Sequence, residues 1–356
     1  MTSRKYVIFV VSLLYAFMLL NLVLWHSIVK VSFTQKDLNR IGSFISTEAL
    51  TKNVKYTKHH TSLREYITSG KNESFDVITM GDSFTNGGGY AYYQDYLTSH
   101  YGLKILNASI SGNCIEDLYI FIKAGVIDNV RPKAVVLESV ERGVQGIMGI
   151  REIDSGFMTN EKAKRLVQNI GMKQNTKQLS SGLLPPLAFN ANMNFIYNKL
   201  YHIMNPERLS SFVYITELNR NFFTNPGYEH TLLHYCDDLL YLNSPVNAEM
   251  VNRNLNNAAS ILKEKNIQLI FFVGVDKYDL YYPYIINHNG RPENQYFHDM
   301  RRISPKDYVF IDTMKIFREA LEHDEKDIYW FGDTHWSWKG MQLFCDELVK
   351  YFNWLN

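Results

Sequence analysis

The 356-residue sequence is poor in cysteine, with only Cys114, Cys236 and Cys345. Three thiols cannot build a disulfide framework, and their spacing matches no zinc site. Nine prolines and 20 glycines are too few for a disordered or collagen-like chain. Neither sign of charge is in excess, with 37 Lys+Arg against 36 Asp+Glu. That balance argues against a dedicated nucleic-acid binder, which carries a basic surplus. The run Gly87-Gly88-Gly89 lacks the Gly-Lys-Ser/Thr of a P-loop. Internal repeats and low-complexity tracts are missing too. What remains is an ordinary globular length, enough for one large domain or two smaller ones.

Charge is missing most conspicuously from residues 6–25 (YVIFVVSLLYAFMLLNLVLW). Twenty helical residues extend about 30 Å, the thickness of a bilayer's hydrocarbon core. Tyr6 and Trp25 stand at the two ends, where amphipathic rings favour the membrane interface. A cleaved signal peptide is the competing reading. The run is longer than a usual h-region, however, and Trp25-His26 is no small-residue cleavage site. A buried core helix would need protein against every face. The reading adopted is an uncleaved single-span anchor at 6–25, after a cytoplasmic tail at 1–5. Arg4 and Lys5 favour a cytoplasmic N-terminus, but Lys30, Lys36 and Arg40 follow the span, so the flanking charges do not fix orientation alone. Residues 26–70 read as a juxtamembrane stalk, either solvated or lying on anionic lipid. His59-His60 then belongs to its solvated surface.

From residue 75 the pattern is strand then helix. Apolar runs at 75–80, 103–107, 134–137, 267–273 and 308–311 alternate with helical spacing at 91–99, 115–127, 248–265, 314–322 and 338–352. Near-continuous apolar strands between helices predict a parallel sheet covered on both faces. Residues 144–240 break the rhythm and read as an insertion, helical in part, forming one wall of an active-site cleft.

Two motifs carry chemistry. Gly81-Asp82-Ser83-Phe84 directly follows the first strand of this pattern. Ligands of open α/β sheets bind at the carboxyl ends of strands, and a serine on a tight turn entering a helix presents its hydroxyl there. Its backbone N–H can also stabilise an oxyanion. The alternative is that Asp82 or Ser83 only caps a helix. The second motif is Asp333-Thr334-His335-Trp336. Histidine can take a serine proton while a carboxylate orients the ring. Metal ligation by Asp333 and His335 is the alternative, but spacing offers no third ligand. A purely structural His–Asp pair is another.

The pairing of GDSF with a C-terminal DTHW resembles the SGNH/GDSL hydrolase superfamily, and more narrowly the alginate-type polysaccharide O-acetyltransferases. The resemblance covers residues 75–140 and 266–352. It implies a three-layer α/β/α fold with a central parallel sheet, forming a catalytic domain over 71–356 behind one transmembrane helix. It also implies Ser83 as nucleophile, His335 as base and Asp333 as orienting acid. Gly112, after the second strand, matches the superfamily's oxyanion glycine. Glu138, Glu141 and Arg142 match an E-x-x-E-R element of the acetyltransferases. The G-x-N-D block of ordinary SGNH hydrolases is lacking, which leaves Asn113 as a candidate further oxyanion donor.

Arg142, Trp336, Lys277 and Tyr278 are candidates for substrate contact. Arg142 could bind an acidic sugar or instead pair with Glu138 or Glu141, and the tyrosine loop could be a solvated turn. Cys114 reads as a small buried residue, and 87–89 as a flexible lip beside Ser83. The resemblance implies an extracytoplasmic acetyl transfer to a polysaccharide, without metal or cofactor. A multi-span membrane O-acyltransferase would supply the acetyl group. A carbohydrate esterase and a non-catalytic scaffold of an export complex are the competing readings.

Overall fold

The computed structural model describes residues 3–30, 37–45, 56–70, 73–88, 92–154, 156, 158–172 and 186–355. Gly89, Ala91 and parts of the expected stalk and insertion lie outside the described residues. Helix α1 (Ser3–Leu24) continues through a wider turn to Val29. Together they form one helix of 27 residues, long and apolar enough to cross a membrane, within which an 18-residue stretch has a mean hydropathy of 2.7. Only 6% of that stretch is buried by the rest of the chain, so no protein core accounts for its apolarity. Trp25 departs from expectation. It is buried with Val29, Phe44, Ala188 and Ala191 and is not a free interfacial ring.

The region read as a stalk is largely folded where it is described. Helix α2 (Asp37–Arg40) docks on the C-terminal loop that carries Asp333 and Thr334. Strand β1 (Thr61–Ser62) joins the main sheet, and α3 (Leu63–Ser69) starts with a reciprocal Ser62–Glu65 cap. His59 and His60 both bond Asp95 through Nδ1, at 2.9 and 2.6 Å. His60 is largely buried, which corrects the solvated reading for that residue, while His59 is exposed as expected. The folded domain therefore begins before residue 71.

Strand β2 (Val77–Met80) is followed by α4 (Tyr93–Tyr101), β3 (Ile105–Asn107) and α5 (Cys114–Ala124). The expected helix over 115–127 breaks at Gly125, whose positive φ of 77° ends α5 before α6 (Val126–Val130). Then come β4 (Ala134–Val140) and the single turn α7 (Glu141–Val144).

The insertion holds α8 (Asn160–Met172), α9 (Pro186–Met204) and a hairpin of β5 (Val213–Glu217) and β6 (Thr231–Tyr235). That antiparallel pair was not foreseen. Its turn region backs the same C-terminal loop: Phe223 and Tyr228 lie 5.4 and 5.3 Å from Phe331, ring to ring.

The chain ends with α10 (Ala248–Lys263), β7 (Gln268–Gly274), α11 (Lys277–Tyr281), α12 (Tyr296–Arg302), β8 (Val309–Ile311), α13 (Thr313–Glu322) and α14 (Trp338–Leu348).

Six strands form one parallel sheet in the order β1-β3-β2-β4-β7-β8. Val135, Val136 and Leu137 are wholly buried, as are Ile270, Phe271 and Phe272. Consecutive buried residues point to opposite faces of a strand, so both faces are covered. Burying each such side chain contributes about 1.5–3 kcal/mol. From β2 the chain steps to β3 on one side and then back across to β4 on the other. Such a reversal opens a crevice at the carboxyl ends of the strands. Ser83 lies three residues beyond the end of β2.

Candidate active site

The serine turn is built from β2 and β4. Met80 pairs with Leu137, which sets Glu138 beside the turn. The Glu138 carboxylate accepts from the Asp82 N–H at 2.8 Å, the Thr85 N–H at 3.2 Å and the Thr85 hydroxyl at 2.9 Å. Burial, then the neighbouring Asp82, pushes the Glu138 carboxyl well above its usual range. Asp82 in turn accepts from the Phe84 N–H and, at 2.8 Å, from the Val140 N–H. Gly81 leaves room for this clamp: a Cβ there would lie 2.3 Å from Glu138 Oε2. The segment from Ser83 to Gly87 is a series of turns and does not start a helix. This corrects the expected strand-to-helix entry, so no helix dipole stands behind Ser83.

Ser83 is exposed, and its Oγ lies 2.7 Å from His335 Nε2. His335 Nδ1 lies 2.6 Å from Asp333 Oδ1, which also accepts the His335 N–H at 3.1 Å. Asp333 and His335 are both buried. Phe84 closes one side of the imidazole at a ring separation of 4.8 Å. Gly88 closes another: a Cβ there would sit 2.3 Å from His335 Cδ2 and Nε2. The Gly88 N–H donates to the Ser83 carbonyl at 2.6 Å, so this part of the glycine run is a fitted wall of the site. Among the described residues, the N–H groups of Ser83 and Gly112 have no acceptor in the protein. Gly112 adopts a φ of 81° beside Asp82. Asn113 caps α5 with its side-chain Oδ1, which accepts from the Glu116 N–H at 3.2 Å, and its own N–H donates to Ser111 Oγ at 3.2 Å.

The residue that the sequence reading missed is Asp37. Its carboxylate accepts the Thr334 N–H at 2.9 Å and the Thr334 hydroxyl. Asp37 Oδ2 also lies 3.5 Å from His335 Nδ1. Burial, then Asp333, raises its carboxyl above the usual range. Asp37, Asp333 and His335 bring ligand atoms within 4.8 Å of one another, so the fold supplies the third group that spacing did not. Both ring nitrogens of His335 are engaged, Nδ1 by Asp333 and Nε2 by Ser83. Such an arrangement lets an imidazole take a proton from the serine hydroxyl while the aspartate holds the ring. Nothing local announces Asp37, which is 296 residues from Asp333.

The four candidates for substrate contact turn out to be braces. Arg142 pairs with Asp276 and, at 3.5 Å, with Asp238, and does not pair with Glu138 or Glu141. Glu141 accepts from the Asp276 N–H at 2.9 Å and from Asn294. Burial drives the carboxyls of Glu141, Asp238 and Asp279 well up. Lys277 is 1% exposed, and its ammonium donates to the carbonyls of Trp330 and Phe331 at 3.0 and 2.8 Å. Burial pulls its pKa down to about 8. Tyr278 is buried against His234, where it is no solvated turn. Trp336 is buried under the site, 5.0 Å from Phe84 and 5.1 Å from Phe344, ring to ring. These contacts tie the ends of β4 and β7 to the loop that carries Asp333 and His335. Cys114 is wholly buried and its thiol is pushed well up, which removes it from nucleophilic chemistry.

A cavity of about 770 Å³ lined by Ile127, Lys133, Gln268 and Trp354 lies at the amino ends of β4 and β7, away from Ser83. No known protein family and no curated protein matches this sequence.

Proposed function

We propose that the chain is a serine-dependent O-acyltransferase of the SGNH/GDSL type, moving an acetyl group onto a polysaccharide outside the cytoplasm. One observation carries the reading: an exposed serine hydroxyl in hydrogen-bond contact with a buried histidine that a buried aspartate holds. That is the arrangement of a nucleophile, its base and an orienting acid.

His335 takes the Oγ proton as Ser83 attacks the acetyl carbonyl carbon of the donor ester. The Ser83 and Gly112 N–H groups are free to receive the oxyanion. As the donor's C–O bond breaks, His335 returns the proton to the leaving oxygen and an acetyl-serine remains. A sugar hydroxyl then gives its proton to His335, attacks the acetyl carbon and releases Ser83, which recovers the proton. Asp333 steadies the imidazolium in both halves.

The apolar helix at 3–29 supports transfer over hydrolysis. A single-pass anchor with a cytoplasmic N-terminus would hold the domain beside a multi-span acyltransferase that delivers acetyl groups across the membrane. An SGNH-type carbohydrate esterase uses the same residues, with water as acceptor.

The test exposes the full-length protein to an activated acetyl ester and then to glycans. Intact mass should gain one acetyl group in wild type and none in Ser83→Ala. Equal adducts in both proteins would end the serine mechanism. Discharge equally fast with and without glycan would favour the esterase.

A further inference from the structure

Helix α9 presents its apolar residues the wrong way round for a water-soluble surface. Phe189, Met193, Tyr197, Leu200, Ile203 and Met204 are between 44% and 75% exposed. Their spacing of three, four and seven places them on one stripe about four turns long. Lys199 is the only charged residue in the helix. A solvated helix face of this length would normally carry several charges, and monomeric surfaces rarely expose a contiguous apolar patch larger than a few hundred Å².

The opposite face explains where the stripe lies. Ala188 and Ala191 pack on Trp25, Val29 and Phe44 at the end of the apolar helix. Asn192 Nδ2 donates to the Asn21 carbonyl at 2.8 Å, and Phe189 meets Phe17 at a ring separation of 5.9 Å. Side chains of α1 such as Leu13, Leu14 and Leu20 are themselves about half exposed. The stripe of α9 thus continues the bare apolar surface of α1 without a break. The Asn21–Asn192 pair fits this place too, since polar side chains in lipid pair with each other across helices.

We infer that the outward face of α9 is a membrane contact, seated in the interface between head groups and acyl chains beside α1. This rests on reading Ser3–Val29 as a membrane span. Lys199 and His202, near the C-terminal end of α9, can extend toward head groups. Two contacts with the bilayer, one spanning and one lying on it, would fix the tilt of the catalytic domain over the membrane.

The test uses the full chain with Cys236→Ser, reconstituted in phosphatidylcholine–phosphatidylglycerol vesicles. An environment-sensitive fluorophore is placed in turn on Leu200→Cys, Ile203→Cys, Leu14→Cys and Lys164→Cys, the last being an exposed site on α8. Circular dichroism and thermal melting check that each labelled chain is folded. Lipids carrying a quencher on the acyl chain should quench the labels at 14, 200 and 203 several-fold and leave 164 unchanged. Quenching at 14 without quenching at 200 and 203 would overturn the inference and leave the span intact. Loss of quenching at all four sites would overturn the span as well. Labels at 200 and 203 that are shielded from water yet unquenched, with energy transfer between differently labelled chains, would assign the stripe to a second copy and refute the lipid contact.

Discussion

A methyl group on Gly88 is the sharpest probe of the site, because it acts on geometry without changing any catalytic group. In Gly88→Ala the new carbon would begin 2.3 Å from His335 Nε2 and 2.6 Å from the Ser83 carbonyl oxygen. Ordinary contact starts near 3.4 Å, so the imidazole or the turn must give by about 1 Å. The ring has little freedom to retreat. Phe84 lies behind it at 4.8 Å, itself buried against Trp336 at 5.0 Å, and Asp333 holds Nδ1 at 2.6 Å. The movement therefore falls on the 2.7 Å contact between Nε2 and Ser83 Oγ. A misplacement of about 1 Å in reacting groups costs about a hundredfold in rate, or about 3 kcal/mol in the barrier. The backbone at Gly88 is not in the left-handed region, so alanine adds no backbone strain. Overpacking of this kind should also cost about 1–3 kcal/mol of stability, which the melt reads separately from the labelling rate. The assay is the rate at which a fluorophosphonate labels Ser83 in the full-length protein, followed by intact mass, with a thermal melt in parallel. Gly146→Ala is the control, since nothing lies within 4 Å of its added methyl. If Gly88→Ala is labelled as fast as wild type, the imidazole is not confined between Phe84, Asp333 and Gly88.

Three further substitutions separate bracing from chemistry. Asp37→Asn keeps an acceptor for the Thr334 N–H but removes a carboxylate 3.5 Å from His335 Nδ1; kcat should fall about ten- to a hundredfold with KM unchanged, and unchanged kcat would reduce α2 to mere packing. Arg142→Met strands several buried carboxylates without their cation and should cost about 3–5 kcal/mol. Denaturant titration measures that loss, and a stable variant with a raised acceptor KM would restore Arg142 to substrate binding. Lys277→Met tests linkage. The lysine titrates near 8 when folded and at its ordinary value of 10.5 when unfolded. Between those limits the unfolded chain holds a proton that the folded chain has released. Wild-type stability should therefore rise with pH relative to the variant, by about 3 kcal/mol across the window; a pH-independent difference would contradict this.

Five strands of the sheet and the helices after them were legible because their signals are local. A buried parallel strand needs an unbroken apolar run, as in Ile267–Val273, and an amphipathic helix needs spaced apolar residues. Strand β1 escaped notice because Thr61 and Ser62 carry no such run; pairing with Leu106 and Asn107 makes them a strand. The hairpin at 213–235 was obscured because aromatic residues there serve packing on Phe331 as much as strand formation.

Ser83, His335 and Asp333 could be picked out because two short motifs contain all three and together carry a family resemblance, although each motif alone left a structural alternative open. Sequence also determined the uncharged helix, because twenty uncharged and mostly apolar residues in a row leave few other environments. Burial and partnership were decided only by the fold. Lys277, Tyr278, Arg142 and Trp336 looked like substrate contacts and became braces, because a charged or aromatic residue near a site has no visible exposure in one dimension. Asp37 is the converse case. A carboxylate 296 residues away from Asp333 meets it only because the chain after the N-terminal apolar helix folds back onto the loop that carries Asp333 and His335.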